Sequence, residues 1–415
     1  MGCCDVPGLM PLELALENML SELTNVCRPI TLPLSQSLGY ALSEDVLSPL
    51  NVPPFNNSAM DGYALSQADL QDCSEQHPVT LTLVGCAMAG APYIGSVNAG
   101  ECVRIMTGAV LPQSVDTVIM QEEVSTDGEL ITFTHNPKLG NNVRLEGEDL
   151  KKGQPVLSAG HQLTPRDIPL LASLGLANLA VFDKLKVAIF SSGDELKTVG
   201  EPLNTGDIYD SNRYGMVAIL SRLNVDVIDL GIIKDDKDAL REAFLAADHQ
   251  ADIVISSGGM SVGEADFVKD ILNELGSISF WKLAIKPGKP FAFGHLPNSI
   301  FLGLPGNPVA SIATLYQLAV PAIEKLSGIV SQPRIRFNAV TEHNLKKRPG
   351  RTDFQRGYYC VNADGQIVVR SAGKQGSGIL SAMSQSNCFI VLAQESGNVT
   401  AGETVTIEPY THLLN

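Results

Sequence analysis

The chain is 415 residues long, more than one hydrophobic core usually organises, so several domains are expected. Hydrophobic residues make up 44% and charged residues 18%, which excludes a disordered polypeptide. A formal charge of −16 works against non-specific binding to nucleic acid or to an anionic membrane, so an anionic ligand needs a local group of cations or a metal.

The opening MGCC imitates a lipid-anchor signal, but Val6 stands where the myristoylation pattern wants Ser or Thr. No apolar run is long enough to span a bilayer, and no basic-then-apolar leader is present, which points to the cytoplasm. The eight cysteines form no Cys-x-x-Cys pair and read as reduced, mostly buried thiols. Residues 12–24 place Leu12, Ala15, Met19 and Leu23 on one face of a packing helix. From Asn51 to about Asp149 the text becomes loop-rich, with VTLTLVG, ECVRIMTG, DTVIMQEE and ELITFTH as strands of a β-rich insertion. RDIPLLASLGLA then reads as a helix.

From Lys186 to about Gly328 strands alternate with helices. KVAIFSSG, VDVIDLGII, ADIVISSGG and SIFLGLPG are the strands, and amphipathic segments follow them, the pattern of an α/β domain with a parallel sheet. After Ser331 only short strands are expected: RIRFNAV, RGYYCV, QIVVRSA, CFIVLAQ and TVTIEPY, which fit a small C-terminal β-barrel or sandwich. The fold class is thus multidomain, α/β and β.

SSGGMSVGEADF carries the G-x-x-x-x-G spacing of a phosphate loop, from Gly258 to Gly263, but Glu264 stands where that loop has lysine. Nucleoside triphosphatase and dinucleotide-binding readings both fall. What remains is a loop in which Gly258, Gly259 and Ser261 let backbone N–H groups approach an oxyanion. Glu195, Asp235 and Asp266 each follow a candidate strand and could reach a hard cation such as Mg²⁺, which takes one or two carboxylates and bridges to phosphate. Asp194, Asp235 and Asp266 could equally cap helices. In a parallel sheet these turns lie on one edge, where open α/β sheets bind ligands.

The cations arrive in WKLAIKPGKPFAFG, where an extended strand would put Lys282 and Lys286 on a shared face and Lys289 follows the Pro287-Gly288 turn, a stripe of ammonium groups suited to phosphate or an oxyanion. Solvated edge lysines are the plainer alternative. LPGNPVAS brackets a turn with Pro305 and Pro308 and opens a helix whose N-terminus suits an anion. Asp61 in SAMDG, Thr107 in RIMTG, and Arg144 and Asp149 in RLEGED could serve a site or simply make turns.

Taken together, PPFNNSAMDGYA, RIMTGA, RLEGED, FSSGDEL, SSGGMSVGEADF, KLAIKPGKPFAFG, GLPGNPVAS and GRTDFQRG resemble the molybdopterin molybdenumtransferases, often called MoeA in bacteria, from end to end. The resemblance implies a homodimer with four domains: residues 1–50 with 150–185, the β-rich insertion 51–149, a molybdopterin-binding α/β domain 186–328, and a β-barrel 329–415. It implies molybdenum insertion from molybdate into adenylylated molybdopterin, with release of AMP and use of Mg²⁺, and possible transient contacts with other cofactor-biosynthesis proteins. By motif it implies Asp61, Glu195, Asp235, Asp266, Lys282 and Lys286 as catalytic residues, with Glu195, Asp235 and Asp266 on the metal. Thr107, Arg144, Asp149, Asp194, Pro305, Pro308, Arg356 and Ser377 join the glycine loop in substrate binding, the Asp61, Thr107, Arg144 and Asp149 set from the opposite protomer. Many relatives read Phe-Asp-Asn-Ser where this chain has Phe55-Asn56-Asn57-Ser58. Adenylylation of molybdopterin, or a non-catalytic scaffold on the same fold, are the competing readings.

Overall fold

The computed structural model describes residues 8–258 and 267–414. The chain divides into two compact units. One runs to Ser43, includes Gly160–Pro165 and resumes at Asn178; the other comprises Glu44–Ala159 and Arg166–Ala177.

The second unit is built on a six-stranded sheet in the order Thr117–Met120, Gly62–Leu65, Glu101–Ile105, Val79–Ala87, Leu130–Phe133 and Val124–Asp127. All neighbours are antiparallel except Val79–Ala87 beside Glu101–Ile105. Side chains alternate faces along a strand, so Tyr63 and Leu65 pack into one apolar cluster and Ala64 into another. The four expected strands are present, and the segment 166–177 forms the helix Asp167–Ser173.

In the first unit the central sheet has the order Val225–Ile233, Leu185–Ser192, Ile253–Ser257, Ile300–Leu304, Pro290–His295, Ser277–Lys282. The first four strands are parallel; Pro290–His295 runs against them, and Ser277–Lys282 runs against it in turn. Both faces are covered: Val187 and Ile189 enter one core, and Ala188 and Phe190 the other. This explains why these strands read as continuous apolar runs rather than alternating ones. The helices Ser211–Leu220, Lys237–Gln250 and Phe267–Leu275 supply the cover, together with a long helix that begins at Pro308 and ends at Leu326. The N-terminal helix Leu12–Glu22 buries Leu12, Ala15 and Met19, with Leu23 just past its end.

The lysine segment is not one extended strand. Lys282 ends Ser277–Lys282, opposite Pro290, whereas Lys286 belongs to the two-residue strand Ile285–Lys286, which pairs with Thr352–Val361 in another sheet. That other sheet closes on itself, because Thr352–Val361 pairs with both Ile367–Ser371 and Cys388–Leu392. With Phe337–Thr341 and Thr404–Pro409 it makes a closed five-stranded barrel. A short helix, Leu380–Ser384, interrupts what the sequence reads as strands alone; its Ala382 is buried.

Cys73, Cys102 and Cys388 are buried, Cys27 is half-buried, and Cys86 and Cys360 are exposed; all six are free thiols. Burial pushes the Cys102 and Cys388 thiols up to about 12. The expectation of mostly buried thiols therefore holds for only part of the set. No helix among the described residues is long and apolar enough to cross a membrane.

Candidate functional site

A cavity of about 920 Å³ opens in the first unit at the carboxyl ends of the parallel strands. Each strand hands over to a turn there: Ser192 to Gly193 and Glu195, Ile233 to Asp235, Ser257 to Gly258, and Leu304 to Pro305. Open α/β sheets present their ligand crevice on this edge because the helices return the chain to the opposite one.

The floor requires glycine. Gly258 has φ +95°, and a Cβ on it would lie 2.4 Å from the Ser192 carbonyl oxygen. The buried hydroxyls of its neighbours Ser192 and Ser256 and the amide oxygen of Asn212 have no hydrogen-bond partner among the described residues.

One wall is acidic. Glu195 and Asp235 line the cavity, and Asp194 accepts a hydrogen bond from the Asp235 backbone N–H at 3.2 Å. Burial first, and then the charges of Asp194 and Glu195, raise the Asp235 carboxyl above its ordinary value. Like charges held this close favour a cation between them. Among the described residues no three Asp, Glu, His or Cys side chains converge as a ready-made cage. Two carboxylates nevertheless suit Mg²⁺, which keeps waters and completes its shell with phosphate oxygens.

Another part of the lining is cationic. Lys286, Lys289 and Arg351 form it, and the Lys286 ammonium lies 3.0 Å from Asp353. Lys282 is exposed and is not on the wall. Pro305, Pro308 and Ser377 do border the cavity. The start of the long helix is less available to an anion than its sequence suggests: Pro308 carries no N–H, and the Val309 N–H donates to the Ser377 carbonyl at 2.9 Å.

Arg356 is fully buried beneath this wall. Its Nη2 donates to the carbonyls of Lys374 (3.4 Å) and Gly376 (3.1 Å), and Gln375 bonds its backbone on both sides. Nε and Nη1 have no hydrogen-bond partner among the described residues, and burial lowers the guanidinium pKa. Arg356 thus holds the loop that brings Gln375, Gly376 and Ser377 to the cavity.

In the other unit, Asp61 and Thr107 are bonded to each other: the Thr107 N–H and Oγ1 both donate to Asp61 Oδ1 at 2.7 Å. The hydroxyl, then the N–H, hold the Asp61 carboxyl below its ordinary value. Arg144 pairs with Asn57 in a two-residue ladder, and the Asp149 N–H donates to the Val52 carbonyl. Both side chains are exposed. Gly259, Ser261, Glu264 and Asp266 lie outside the described residues.

Sequence reasoning passed over Asn212. Its Nδ2 donates to Ser257 Oγ and to the Gly306 carbonyl, both at 2.7 Å, tying the start of one helix to the floor and to the Pro305–Pro308 turn. The available signal was Asp210, whose side chain caps that helix by accepting from the Arg213 N–H. Arg351 and Gln375 were also unforeseen, since nothing local marks them.

Fold and cavity together define an α/β protein with a ligand site at its strand ends, lined by both carboxylates and cations. Comparison with known proteins gives the particular kind. Residues 10–175 match the family described as MoeA N-terminal region (domain I and II), residues 188–325 the probable molybdopterin binding domain, and residues 338–410 the MoeA C-terminal region (domain IV). A molybdopterin molybdenumtransferase of Haemophilus influenzae is 50% identical over 408 residues, covering 98% of this chain and 100% of the relative. One from Nostoc is 36% identical over 374 residues, 89% of this chain and 86% of the relative. The crystal structure of the molybdopterin biosynthesis moeA protein from Pyrococcus horikoshii superposes with a TM-score of 0.84 at 29% identity, covering 97% of this chain and 100% of that one. The chain belongs to the molybdopterin molybdenumtransferase (MoeA) family.

Proposed function

We propose that this protein inserts molybdenum from molybdate into adenylylated molybdopterin, with release of AMP. The observation that carries the reading is the mixed lining of the cavity: Glu195 and Asp235 follow strands at one end of the sheet, Lys286 and Lys289 follow the edge strand Ser277–Lys282 at the other end, and Arg351 joins them around a volume of about 920 Å³. Oxyanions of molybdate and phosphate suit the cationic wall, and a cation neutralising the adenylyl phosphate suits the acidic one.

The group that suits the acidic wall is Mg²⁺, held by Asp235 and Glu195, with Asp266 as a further ligand in this proposal; when bound it supplies charge neutralisation at the phosphoanhydride. The chain's own residues do the rest. Lys286 and Lys289 bind and orient the oxyanions, and the Gly258 floor lets backbone approach the ligand. Arg356 holds the Gln375–Ser377 loop in place. Breaking a phosphoanhydride needs positioning and charge stabilisation more than a covalent nucleophile.

The remaining expectations stay part of the proposal. Asp194, Gly259, Ser261, Pro305, Pro308 and Ser377 contact substrate, and Lys282 acts from the rim. A cytoplasmic homodimer, in which Asp61, Thr107, Arg144 and Asp149 of one copy complete the cavity of the other, is carried by the family resemblance.

The test is one incubation. Purified full-length protein receives adenylylated molybdopterin and molybdate, with and without Mg²⁺, and AMP and dithiolene-bound molybdenum are measured together. Metal-dependent AMP in step with molybdenum incorporation is expected. AMP formed without molybdenum insertion, or ATP consumption in the absence of molybdate, would overturn the reading.

A further inference from the structure

We propose that Asp353 is a positioning residue for Lys286, fixing from the barrel the place of an ammonium group that faces the cavity. The assignment rests on the reading above, in which the cavity takes anionic substrates.

Asp353 is a buried carboxylate, its side chain 3% exposed, while the Lys286 side chain it meets is 43% exposed. A burial contrast of this kind makes the acid the fixed partner and the lysine the group presented to solvent and ligand. The backbone enforces the meeting, because Ile285–Lys286 and Thr352–Val361 pair in parallel with Lys286 directly opposite Asp353. The oxygen that accepts from Lys286 Nζ at 3.0 Å also accepts from Gln355 Nε2 at 3.1 Å. Gln355 is itself buried and held by the Lys346 carbonyl at 2.9 Å. The carboxylate is thus braced before the lysine arrives.

Other cations stand near Asp353, and they set the competing explanation. Lys347 is buried, with its Nζ donating to the carbonyls of Arg348, Gln394 and Ser396, and Arg356 also feels the Asp353 charge. Neither makes a direct ion pair with Asp353; Lys286 does. An isolated lysine on the cavity wall would sample many rotamers, because four rotatable bonds carry its charge. Pinning it beforehand lowers the ordering cost of binding an oxyanion.

Five full-length proteins decide the matter: wild type, Asp353→Asn, Asp353→Glu, Lys286→Ala and the double variant Asp353→Asn with Lys286→Ala. In the AMP-release assay Asp353→Asn is expected to raise KM for molybdate about tenfold while kcat stays nearly unchanged, the signature of lost ground-state positioning. Asp353→Glu, which keeps the charge, recovers most of the loss. The double variant matches Lys286→Ala, because a residue acting through Lys286 has nothing to act on once it is gone. A double variant clearly worse than Lys286→Ala, or a wild-type KM in Asp353→Asn, overturns the proposal.

A second measurement needs neither activity nor a variant. In the wild-type protein, lysines are acylated with an N-hydroxysuccinimide ester and quantified by peptide mass spectrometry. Lys286 is expected to label about tenfold more slowly than the exposed Lys289, and equal rates overturn the assignment. A wild type that releases no AMP would refute the reading of the cavity, and the labelling would still decide the Lys286–Asp353 pairing.

Discussion

Substitution of Gly258 by alanine tests the cavity floor. The residue sits at φ +95°, where a Cβ would lie 2.4 Å from the Ser192 carbonyl oxygen. The left-handed backbone costs an alanine about 1–2 kcal/mol. Restoring ordinary contact requires the two strand ends to part by about 1 Å, an overpacking that adds about 1–3 kcal/mol. Gly231 provides the control: it lies in Val225–Ile233, two strands away in the same sheet, at φ +79°, and a Cβ there would meet nothing within 4 Å, so Gly231→Ala incurs only the backbone cost. The assay is urea unfolding followed by the fluorescence of Trp281, the chain's one tryptophan, which lies in the same sheet against Phe291 and Phe293. Gly258→Ala is expected to unfold at lower urea than Gly231→Ala and to lose about 100-fold in AMP release, since a misplacement of that size at a site costs about that much. Equal midpoints, with full activity in Gly258→Ala, would refute the close-approach argument.

Asp235→Asn is expected to lower AMP release about 100-fold, yet to leave the urea midpoint equal or higher, because it removes a charge repelled by Asp194 and Glu195; a lower midpoint would show that those charges are not in conflict. The Asp61 carboxyl is held low by Thr107, so its stabilising contribution is present above the ordinary carboxylate value of 3.8 and is lost as pH falls through its lower folded value. Thr107→Val is expected to raise the Asp61 value in a ¹³C-NMR titration, and an unmoved curve would contradict the hydroxyl's leading part. Iodoacetamide is expected to label Cys86 and Cys360 in the native protein but Cys102 and Cys388 only after unfolding. Native labelling of Cys388 would contradict its burial.

The parallel strands were readable from the sequence because both of their faces are buried, which leaves uninterrupted apolar text such as that of Val187 to Phe190. The strand-end acids were legible for the same reason, since topology puts those turns on one edge. The lysine segment was not. Whether Lys282 and Lys286 share a strand depends on Asp353, a partner supplied by distant chain that draws Lys286 into another sheet, and no local periodicity encodes it. The turn at Pro305–Pro308 misled in a similar way: its helix start looks open until Ser377 arrives from the barrel to take the Val309 N–H. Asn212 stayed hidden because its value lies in reaching Ser257 and Gly306, both far along the chain.

The long helix that starts at the cavity has a widened turn at Leu315–Ala319, just before Pro321. Pro321 cannot donate a hydrogen bond, and the widened turn absorbs the disruption. There the Tyr316 carbonyl accepts from Arg334, while Gln317 donates to Glu408 at 2.7 Å. Glu408 is buried in the barrel, 1% exposed, and also meets Arg336 at 2.8 Å and Arg334 at 3.5 Å. Loss of the Glu408 carboxylate would leave the buried Gln317 amide and the largely buried Arg334 guanidinium without their partner, a loss that burial makes costly. The barrel is therefore no detachable appendage: a buried carboxylate of its strand Thr404–Pro409 completes the polar contacts of the helix that starts at the cavity.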